Sequence, residues 1–291
     1  MITIYPEFYN RFICKADKCE HTCCAGWEID IDEQTQEYYR NLEGDIGDEL
    51  RASMKESDGT VSFELENGRC PFLNEKNLCL IILSEGEDSL CDICALHPRF
   101  YEDISDEYEL FGVGLSCEKT CELLAQEKDT IEYCVGNDNV RMDISWVLDI
   151  AGYEVDEKWL EFTPSMDKNA VLDIIFEYRK TEAIDENWIK ELDDLEEFIR
   201  NDKAGLDKYK AVYDRNLYNN IKQYIIYRQI EYMEDYGTKC ICGYAQMATQ
   251  FIFMESAMDE NVQEHLRRWS EQIEYSTINV EQLLNITKEE K

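Results

Sequence analysis

The chain has 291 residues, of which 64 are acidic and 29 are basic, and its formal net charge at pH 7 is −35. This charge argues against nucleic acid and anionic membrane surfaces as partners, because binding to phosphates depends on Lys and Arg. The sequence contains no run of about 20 apolar residues, so no membrane-spanning helix is predicted. The opening MITIYPEFYNRFICK lacks the pattern of a signal peptide, so we expect a cytoplasmic protein.

The first elements along the chain are short. The segments WEIDID, from Trp27, and VSFELE, from Val61, alternate apolar and acidic residues with a period of two and predict β-strands. Helices are expected at about 32–39 and, after Cys117, over CEKTCELLAQE. We therefore expect a loop-rich, cysteine-rich domain with short strands at residues 1–135.

Residues 136–291 predict a helical domain, which makes the expected fold mostly α. The segments NLYNNIKQYIIYRQIEYM and YAQMATQFIFMESAM are long and apolar and predict the buried pair of a helical bundle. Asp185 is the expected N-cap of IDENWIKELDDLEEFIRN, and Ser165 that of SMDKNAVLDIIFEYRK. The apolar faces predicted for these two helices are Trp188, Leu192, Leu195 and Ile199, and Val171, Ile174, Ile175 and Tyr178.

Cysteine is concentrated in the first domain, where 11 of the 13 cysteines lie between Cys14 and Cys134. In a cytosolic chain such a density indicates metal binding or catalysis rather than disulfides. Soft thiolates bind zinc, copper(I) or iron–sulfur centres, and we expect a metal centre within the cluster from Cys14 to Cys117. The cysteines expected to be packing residues instead are Cys121, Cys134, Cys240 and Cys242.

The spacing of the cysteines does not identify which metal they bind. A zinc ribbon has two Cys-x2-Cys pairs, and only Cys91 and Cys94 show that spacing. The C-x2-C-x2-C run of bacterial ferredoxins is absent. The Cys-x3-Cys-x2-Cys signature of radical enzymes that use S-adenosylmethionine is also absent, because Gly26 and Leu124 stand where its third cysteine is required.

Two local alternatives concern the chemistry of single residues. Cys23 and Cys24 are adjacent, and we expect only one of them to bind a given metal, because neighbouring side chains tend to diverge. A nucleophilic pair of Cys94 and His97 is an alternative to metal binding for the segment CDICALHPRF.

Four motifs carry a family resemblance: FICKADKCEHTCCAGWEIDID, CPFLNEKNLCLI, CDICALHPRF and LSCEKTCELL, in that order. Together they resemble the flagellin lysine N-methylase (FliB) family, and the ending WSEQIEYSTINVEQLL resembles the C-terminal helix and tail of that family. The N-terminal half is also similar to cysteine-cluster proteins thought to chelate zinc or iron. The resemblance implies transfer of methyl groups from S-adenosylmethionine to lysine ε-amines of flagellin, by a protein with an iron–sulfur centre.

The resemblance also implies which residues form the sites. LSCEKTCE departs from the LSCPE of the family, and Cys91, Cys121 and Cys134 look like additions of this chain. The cysteines that match the family motifs are Cys14, Cys19, Cys23, Cys24, Cys70, Cys79, Cys94 and Cys117. We expect one mainly structural [4Fe–4S] cluster, or zinc as the alternative, held by four thiolates from Cys19, Cys23 or Cys24, Cys70, Cys79 and Cys94, with Cys14 and Cys117 as further candidates.

The tail supplies the candidates for the S-adenosylmethionine site. Glu274, Tyr275 and Asn279 are expected in its wall, while the catalytic residues stay open. Flagellin is the expected protein substrate. The alternative function is that of a metal-binding adaptor or redox protein without transferase activity.

Overall fold

The computed structural model describes residues 1–26, 29–57, 59–136, 140–201 and 213–288. Its chain forms two compact units, which we call the cysteine unit, Ile13–Arg99, and the helical unit, Met1–Phe12 with Phe100–Lys291. These bounds differ from the division at residue 135 expected from the cysteine positions, because the segments 1–12 and 100–135 pack with the C-terminal helices.

The described residues form the following strands and helices. The strands are β1 (Ile2–Pro6), β2 (Met54–Ser57), β3 (Thr60–Phe63), β4 (Arg99–Asp103), β5 (Tyr108–Val113), β6 (Tyr133–Val135) and β7 (Val140–Met142). The helices are α1 (Glu33–Asn41), α2 (Asp45–Ser53), α3 (Leu80–Glu85), α4 (Asp92–Leu96), α5 (Glu118–Gln126), α6 (Ile144–Ile150), α7 (Lys168–Tyr178), α8 (Glu186–Asn201), α9 (Arg215–Arg228), α10 (Met233–Tyr236), α11 (Thr238–Asp259), α12 (Val262–Ile273) and α13 (Thr277–Thr287). The fold is mostly α with short strands, as the sequence predicts.

The cysteine unit is built around the β2–β3 hairpin. The two strands pair antiparallel from Met54 opposite Phe63 to Ser57 opposite Thr60. Residues 27 and 28 of the WEIDID segment lie outside the described residues. Ile29 and Ile31 are 2% and 3% exposed with Asp30 exposed between them, so the predicted alternation of the segment is present. Beside β3 the segment forms an isolated bridge at Asp30 rather than a strand.

A five-stranded sheet of order β4-β5-β1-β6-β7 forms one side of the helical unit. β1 runs parallel to β5 and antiparallel to β6, so the first strand of the chain is central in the sheet. Two tyrosines of α9 connect this sheet to the helices. The Tyr224 hydroxyl donates to the Val113 carbonyl (2.8 Å), and the Tyr227 hydroxyl donates to those of Ile4 and Phe111 (2.9 Å each).

α9 and α11 form the buried helix pair that their apolar sequences predict. α11 has 22 residues, and residues on all its faces are buried, which explains why it shows no single apolar stripe. The Trp269 indole of α12 donates to the Tyr178 hydroxyl of α7 at 2.9 Å, so the aromatic core of the unit is also joined by hydrogen bonds. In the described part of the chain, no helix combines the length and apolarity that crossing a membrane requires.

The two predicted helix caps had different outcomes. The Asp185 carboxylate accepts from the backbone N–H of Trp188 (3.1 Å), which confirms it as the cap of α8. The prediction of Ser165 as the cap of α7 is wrong, because the Asp167 side chain takes that position. Ser165 lies earlier, where its backbone N–H donates to the Gln250 side chain of α11 at 2.6 Å. An extended segment bound to α11 thus delays the start of the helix.

Candidate metal centre and ligand clefts

Five cysteines share the core of the cysteine unit. Cys70 and Cys91 are buried within it, and the other three are half-buried against it. The five thiols are close enough to influence one another's ionisation electrostatically. We call this group the thiol cluster: Cys24, Cys70, Cys79, Cys91 and Cys94.

Backbone hydrogen bonds bring these distant parts of the sequence together. The N–H of Cys70 donates to the carbonyl of Cys24 at 2.9 Å, which joins the first motif to the second. An isolated β-bridge pairs Leu73 with Cys79 and closes the loop of the second motif. The last two thiols lie at the start of α4, with Cys91 as its N-cap residue.

Two side chains hold the segment that carries Cys91: Asp32, the N-cap residue of α1, and Tyr39, within α1. Asp32 accepts from the backbone N–H of Thr35 (2.8 Å) with one carboxylate oxygen and from that of Asp92 (3.0 Å) with the other. The Tyr39 hydroxyl donates to the carbonyl of Ser89 at 2.7 Å. Sequence reasoning missed both roles, because only the fold places α1 beside α4.

The thiols of the cluster differ in how easily they ionise. A hydrogen bond with the Cys23 thiol lowers the pKa of Cys24 to about 7, against the effect of burial. A hydrogen bond between Cys91 and Cys94 lowers the pKa of the first and raises that of the second. Burial raises the pKa of Cys70 to about 11. Since the thiolate is the form that binds metal, Cys24 and Cys91 are the thiols most ready to bind one.

Cys91 is the main difference from the sequence prediction. The family resemblance marks it as an addition of this chain, yet it is 1% exposed and more buried than Cys70 at 8%. Its Cys-x2-Cys spacing with Cys94 is the signal that identifies it. Cys117, a further candidate ligand, lies in the helical unit as the N-cap residue of α5.

The remaining predicted ligands lie at the start of the cysteine unit. Cys19 is half-exposed, and Cys14 and Cys23 are exposed. The Cys14 sulfur accepts from the backbone N–H of Ala16 at 3.4 Å. The thiols of Cys23 and Cys24 are hydrogen-bonded to each other, so these neighbouring side chains converge instead of diverging as expected.

The cluster fits a metal by its donor types rather than by a preformed geometry. All 13 cysteines are thiols. Among the residues that the structure describes, no three His, Cys, Asp or Glu side chains are arranged so that they could hold a metal ion. Five soft sulfur donors in one core, where four suffice, nevertheless match the chemistry of zinc or an iron–sulfur centre. The metal and its four ligands stay predictions.

The four cysteines predicted to be packing residues are buried in the helical unit, which confirms that role. The Cys121 thiol donates to the carbonyl of Leu115 at 2.9 Å, and the Cys240 thiol to that of Leu284 at 3.2 Å. These contacts are within the protein interior, so the helical unit uses its thiols as small core residues.

The tail residues proposed for the S-adenosylmethionine site have mixed environments. The Glu274 carboxylate is 3% exposed and accepts from Arg228 at 2.8 Å. Asn279 is fully buried, and its side chain donates to the carbonyl of Gln272 at 3.0 Å. Tyr275 is 49% exposed. The first two side chains hold helices together, and a role of the three residues in binding a ligand stays a prediction.

Among the cavities of the helical unit, two differ in size and charge. The wide cleft, of about 760 Å³, is lined by 11 residues, of which five are acidic and the others include Arg141, Trp146 and Tyr153. Arg141 is paired with Glu7 at 2.9 Å and with Glu132 at 3.4 Å, so the unpaired charge of the wide cleft is negative. The narrow cleft, of about 130 Å³, lies between β4 and the end of α9.

These features define a class: a mostly α protein of two units, one of which gathers five thiols in a small core. Comparison with protein-family models found no match, and no solved structure matches the chain. Three curated proteins are similar to it. The lysine-N-methylase of Salmonella typhimurium is 25% identical over 133 residues, which are 43% of this chain and 33% of that protein.

The other two relatives match over the same length. The lysine-N-methylase of Salmonella choleraesuis is 24% identical over 133 residues, 43% of this chain and 33% of that protein. The flagellar biosynthetic protein FliU of Salmonella muenchen is 25% identical over 133 residues, 43% of this chain and 78% of that protein. The resemblance to the flagellin lysine N-methylase family is thereby confirmed, and the match spans about a third of the two lysine-N-methylases.

Proposed function

We propose that this chain transfers methyl groups from S-adenosylmethionine to the ε-amine of protein lysines, with flagellin as the substrate. The observation that carries the proposal is the similarity over 133 residues to proteins named lysine-N-methylase. The name of the third relative, a flagellar biosynthetic protein, supports a flagellar substrate. Since the match covers 43% of this chain, the activity of the whole chain needs direct measurement.

The proposed chemistry requires a neutral amine and an aligned methyl donor. A free lysine has a pKa of about 10.4, so roughly one amine in a few thousand is neutral at pH 7. The nitrogen lone pair forms the new N–C bond while the C–S bond breaks, and the sulfur keeps that electron pair as a thioether. The proton of the amine passes to a base or to water. Desolvation of the lysine and in-line positioning are therefore the main tasks of the protein.

We propose a structural role for the metal centre. The thiol cluster would hold a [4Fe–4S] cluster, or zinc as the alternative, and when bound this group supplies cross-links between the loops of the cysteine unit. Methyl transfer to an amine moves an electron pair within the reacting atoms and needs no external electron. Cys91 joins the candidate ligands because it is buried in the same core as Cys70.

We propose the wide cleft as the site for S-adenosylmethionine in place of Glu274, Tyr275 and Asn279, which do not line it. Its volume of about 760 Å³ lies within the range of about 300–1,000 Å³ typical of small-molecule pockets. The half-buried rings of Trp146 and Tyr153 offer faces for the adenine. The carboxylates of its wall, which include Asp149 and Glu154, complement the positive sulfonium.

Methyl transfer is tested directly by mass. Protein purified without oxygen is incubated with S-adenosylmethionine and flagellin, and the intact mass of the flagellin is measured. We expect the mass to rise in whole methylene steps, and not to rise for flagellin whose lysines have been acetylated. The Trp146→Ala variant should weaken the binding of S-adenosylmethionine in calorimetry while it retains the metal content of the parent protein.

A negative result in this test would favour the metal-binding adaptor or redox protein. Flagellin of unchanged mass, together with undetectable binding of S-adenosylmethionine by metal-loaded protein, would overturn the methyltransferase proposal. The metal-binding adaptor or redox protein then becomes the better account, since the thiol cluster does not depend on transferase activity.

A further inference from the structure

Two members of the thiol cluster form a close pair on one short helix. Cys91 is the N-cap residue of α4, and Cys94 lies in the first turn of that helix. The two thiols are hydrogen-bonded to each other, and the backbone N–H of Cys94 also donates to the sulfur of Cys91. The helix itself therefore holds these two sulfurs together.

A disulfide between these two residues fits the backbone of α4. Residues three apart around one helical turn lie about 5 Å apart between their Cα atoms, and disulfides require roughly 4.4–6.8 Å. Cys23 and Cys24 are also hydrogen-bonded to each other. A disulfide between such neighbours closes a ring that contains their peptide bond, and the planarity of that bond opposes closure. Cys91 and Cys94 are therefore the better placed of the two pairs.

The pair lies just below the protein surface. Asp92 and Ala95 of α4 are exposed, and Leu96 is 42% exposed. Cys94 is half-buried, whereas Cys91 is 1% exposed. A small oxidant can therefore reach the Cys94 sulfur, while the Cys91 sulfur lies directly behind it.

The number of thiols gives this pair a distinct effect on metal binding. The thiol cluster has five members, whereas a tetrahedral zinc site or a [4Fe–4S] centre takes four cysteines. A disulfide between Cys91 and Cys94 removes two thiols at once. The three that remain, Cys24, Cys70 and Cys79, are one short of the four required.

We infer that Cys91 and Cys94 are a reversible redox pair, which a hydroperoxide oxidises to a disulfide and a thiol reductant restores. With hydrogen peroxide, the Cys94 sulfur attacks one oxygen, the O–O bond breaks, and a sulfenic acid and one water result. The Cys91 sulfur then displaces the hydroxyl group from Cys94. The S–S bond forms, and a second water leaves with the remaining thiol proton. The two electrons that the sulfurs lose are taken up by the peroxide.

The disulfide is a property of the chain itself and depends neither on methyl transfer nor on a metal. Its consequence for metal binding rests on the proposed metal centre: oxidation of the pair would release the metal, and reduction would allow it to bind again. The two statements are therefore tested separately.

The pairing is tested by mass spectrometry on the full chain. Protein purified without oxygen is treated with about one equivalent of hydrogen peroxide, its remaining thiols are alkylated, and it is digested with trypsin. The fragment 77–99 contains Cys79, Cys91 and Cys94. We expect this fragment to carry one alkyl group, on Cys79, and a disulfide between the other two cysteines. After reduction with dithiothreitol it should carry three alkyl groups.

The outcomes for the pairing are distinct. Cys91 or Cys94 joined to a different cysteine, or both recovered as thiols while other cysteines form disulfides, would overturn the inference. In the Cys94→Ser variant, Cys91 should be recovered alkylated. Cys242→Ser, in the helical core, is the matched control and should form the disulfide as the parent protein does. The pairing is read from the parent protein, so it does not depend on the folding of a variant.

The consequence for the metal is tested with zinc, which has no redox chemistry of its own. Protein loaded with one equivalent of zinc is treated with hydrogen peroxide, and the released zinc is measured with a chromophoric chelator. We expect zinc to be released in proportion to the disulfide formed. Zinc that stays bound when the disulfide is complete would overturn the release of metal, whatever the result for flagellin methylation.

Discussion

The two units of this chain are stabilised by different means. In the described residues, the core of the helical unit contains 49 buried apolar side chains, many of them aromatic. That of the cysteine unit contains ten, and two of these are the thiols Cys70 and Cys91. Small cores rarely supply enough burial to outweigh the loss of chain entropy. The helical unit therefore has the burial to fold on packing, whereas we propose that the cysteine unit needs further stabilisation, which a metal bound by its thiols would supply.

The largest expected effect comes from removing one thiol of the cluster. Cys79→Ser should lower the metal content sharply and reduce the stability of the cysteine unit by several kcal/mol, because metal-binding energy becomes folding energy. Cys242→Ser is the matched control, since burial raises the pKa of both thiols but Cys242 lies in the helical core. Metal analysis, visible absorption and calorimetry compare the metal content and melting temperature of the two variants. A Cys79→Ser protein with full metal content and unchanged melting temperature would contradict it.

A core change in the helical unit should have the next largest effect. Trp188 is fully buried, with its ring centre 5.6 Å from that of Phe251. Trp188→Ala should cost about 3–5 kcal/mol of unfolding free energy, as removal of a large buried side chain does, while the metal content stays unchanged. Ile189→Ala, at a position 42% exposed on the same helix, should cost far less. Denaturant titration compares the two, and equal losses would show that α8 is not held by its apolar face.

A smaller effect concerns pH and the polar interior of the helical unit. The ring nitrogens of His265 lie 2.7 Å from Asp259 and 3.5 Å from the buried Glu255. Burial acts against the charged imidazole, but the two carboxylates outweigh it and raise the pKa of His265 to about 9. A raised pKa stabilises the fold fully below the ordinary value of about 6.5, and this contribution is lost as the pH rises through about 9.

The test of this ionisation is a pH series. His265→Gln should lose about 2 kcal/mol of unfolding free energy near pH 6, and its deficit relative to the parent protein should shrink as the pH approaches about 10. The Ile189→Ala variant serves as the control, with a deficit that does not change with pH. A His265→Gln deficit that is constant over this range would mean that the imidazole is neutral in the folded protein.

The smallest effect is expected at the cap that joins α1 to α4. Asp32→Ala removes the carboxylate that accepts hydrogen bonds from the backbone N–H groups of Thr35 and Asp92. The loss should lower the free energy of unfolding by about 1–2 kcal/mol. It should also weaken retention of the metal against a chelator, since Asp92 follows Cys91. Asp30→Ala, at an exposed position of the same segment, should change neither property. Equal metal retention in the two variants would mean that α4 is positioned by its thiols alone.

The helices were predictable because their information is local. The stripe from Trp188 to Ile199 and the Asp185 cap lie within one segment, so spacing alone reveals them. The sheet of the helical unit was not foreseen. β1 has its partners more than 100 residues away, at Tyr108–Leu110 and Tyr133–Val135, and β6 has three residues. No local pattern specifies such pairing.

The sequence predicts that the candidate site is made of cysteines, but it predicts less well which cysteines lie together. Cysteine density predicts metal binding, which stays a prediction, but the family resemblance set Cys91 aside although its spacing with Cys94 marked it. The narrow cleft could not be foreseen, because it depends on Phe100 meeting Tyr227 across a separation of more than 100 residues. Asp32 was read as part of a helix start, and only the fold gives its carboxylate a second partner.

The central place of β1 in the sheet has a consequence for synthesis on the ribosome. Ile2–Pro6 is synthesised before its partner strands, which follow more than 100 residues later, a delay of roughly 5–25 s at about 5–20 residues per second. All of Ile13–Arg99 is translated within that interval. We expect nascent chains arrested when Arg99 has just left the ribosomal tunnel to protect Ile13–Arg99 from protease while Ile2–Pro6 remains cleavable. Any metal that the thiol cluster binds could then be taken up before most of the helical unit has been synthesised.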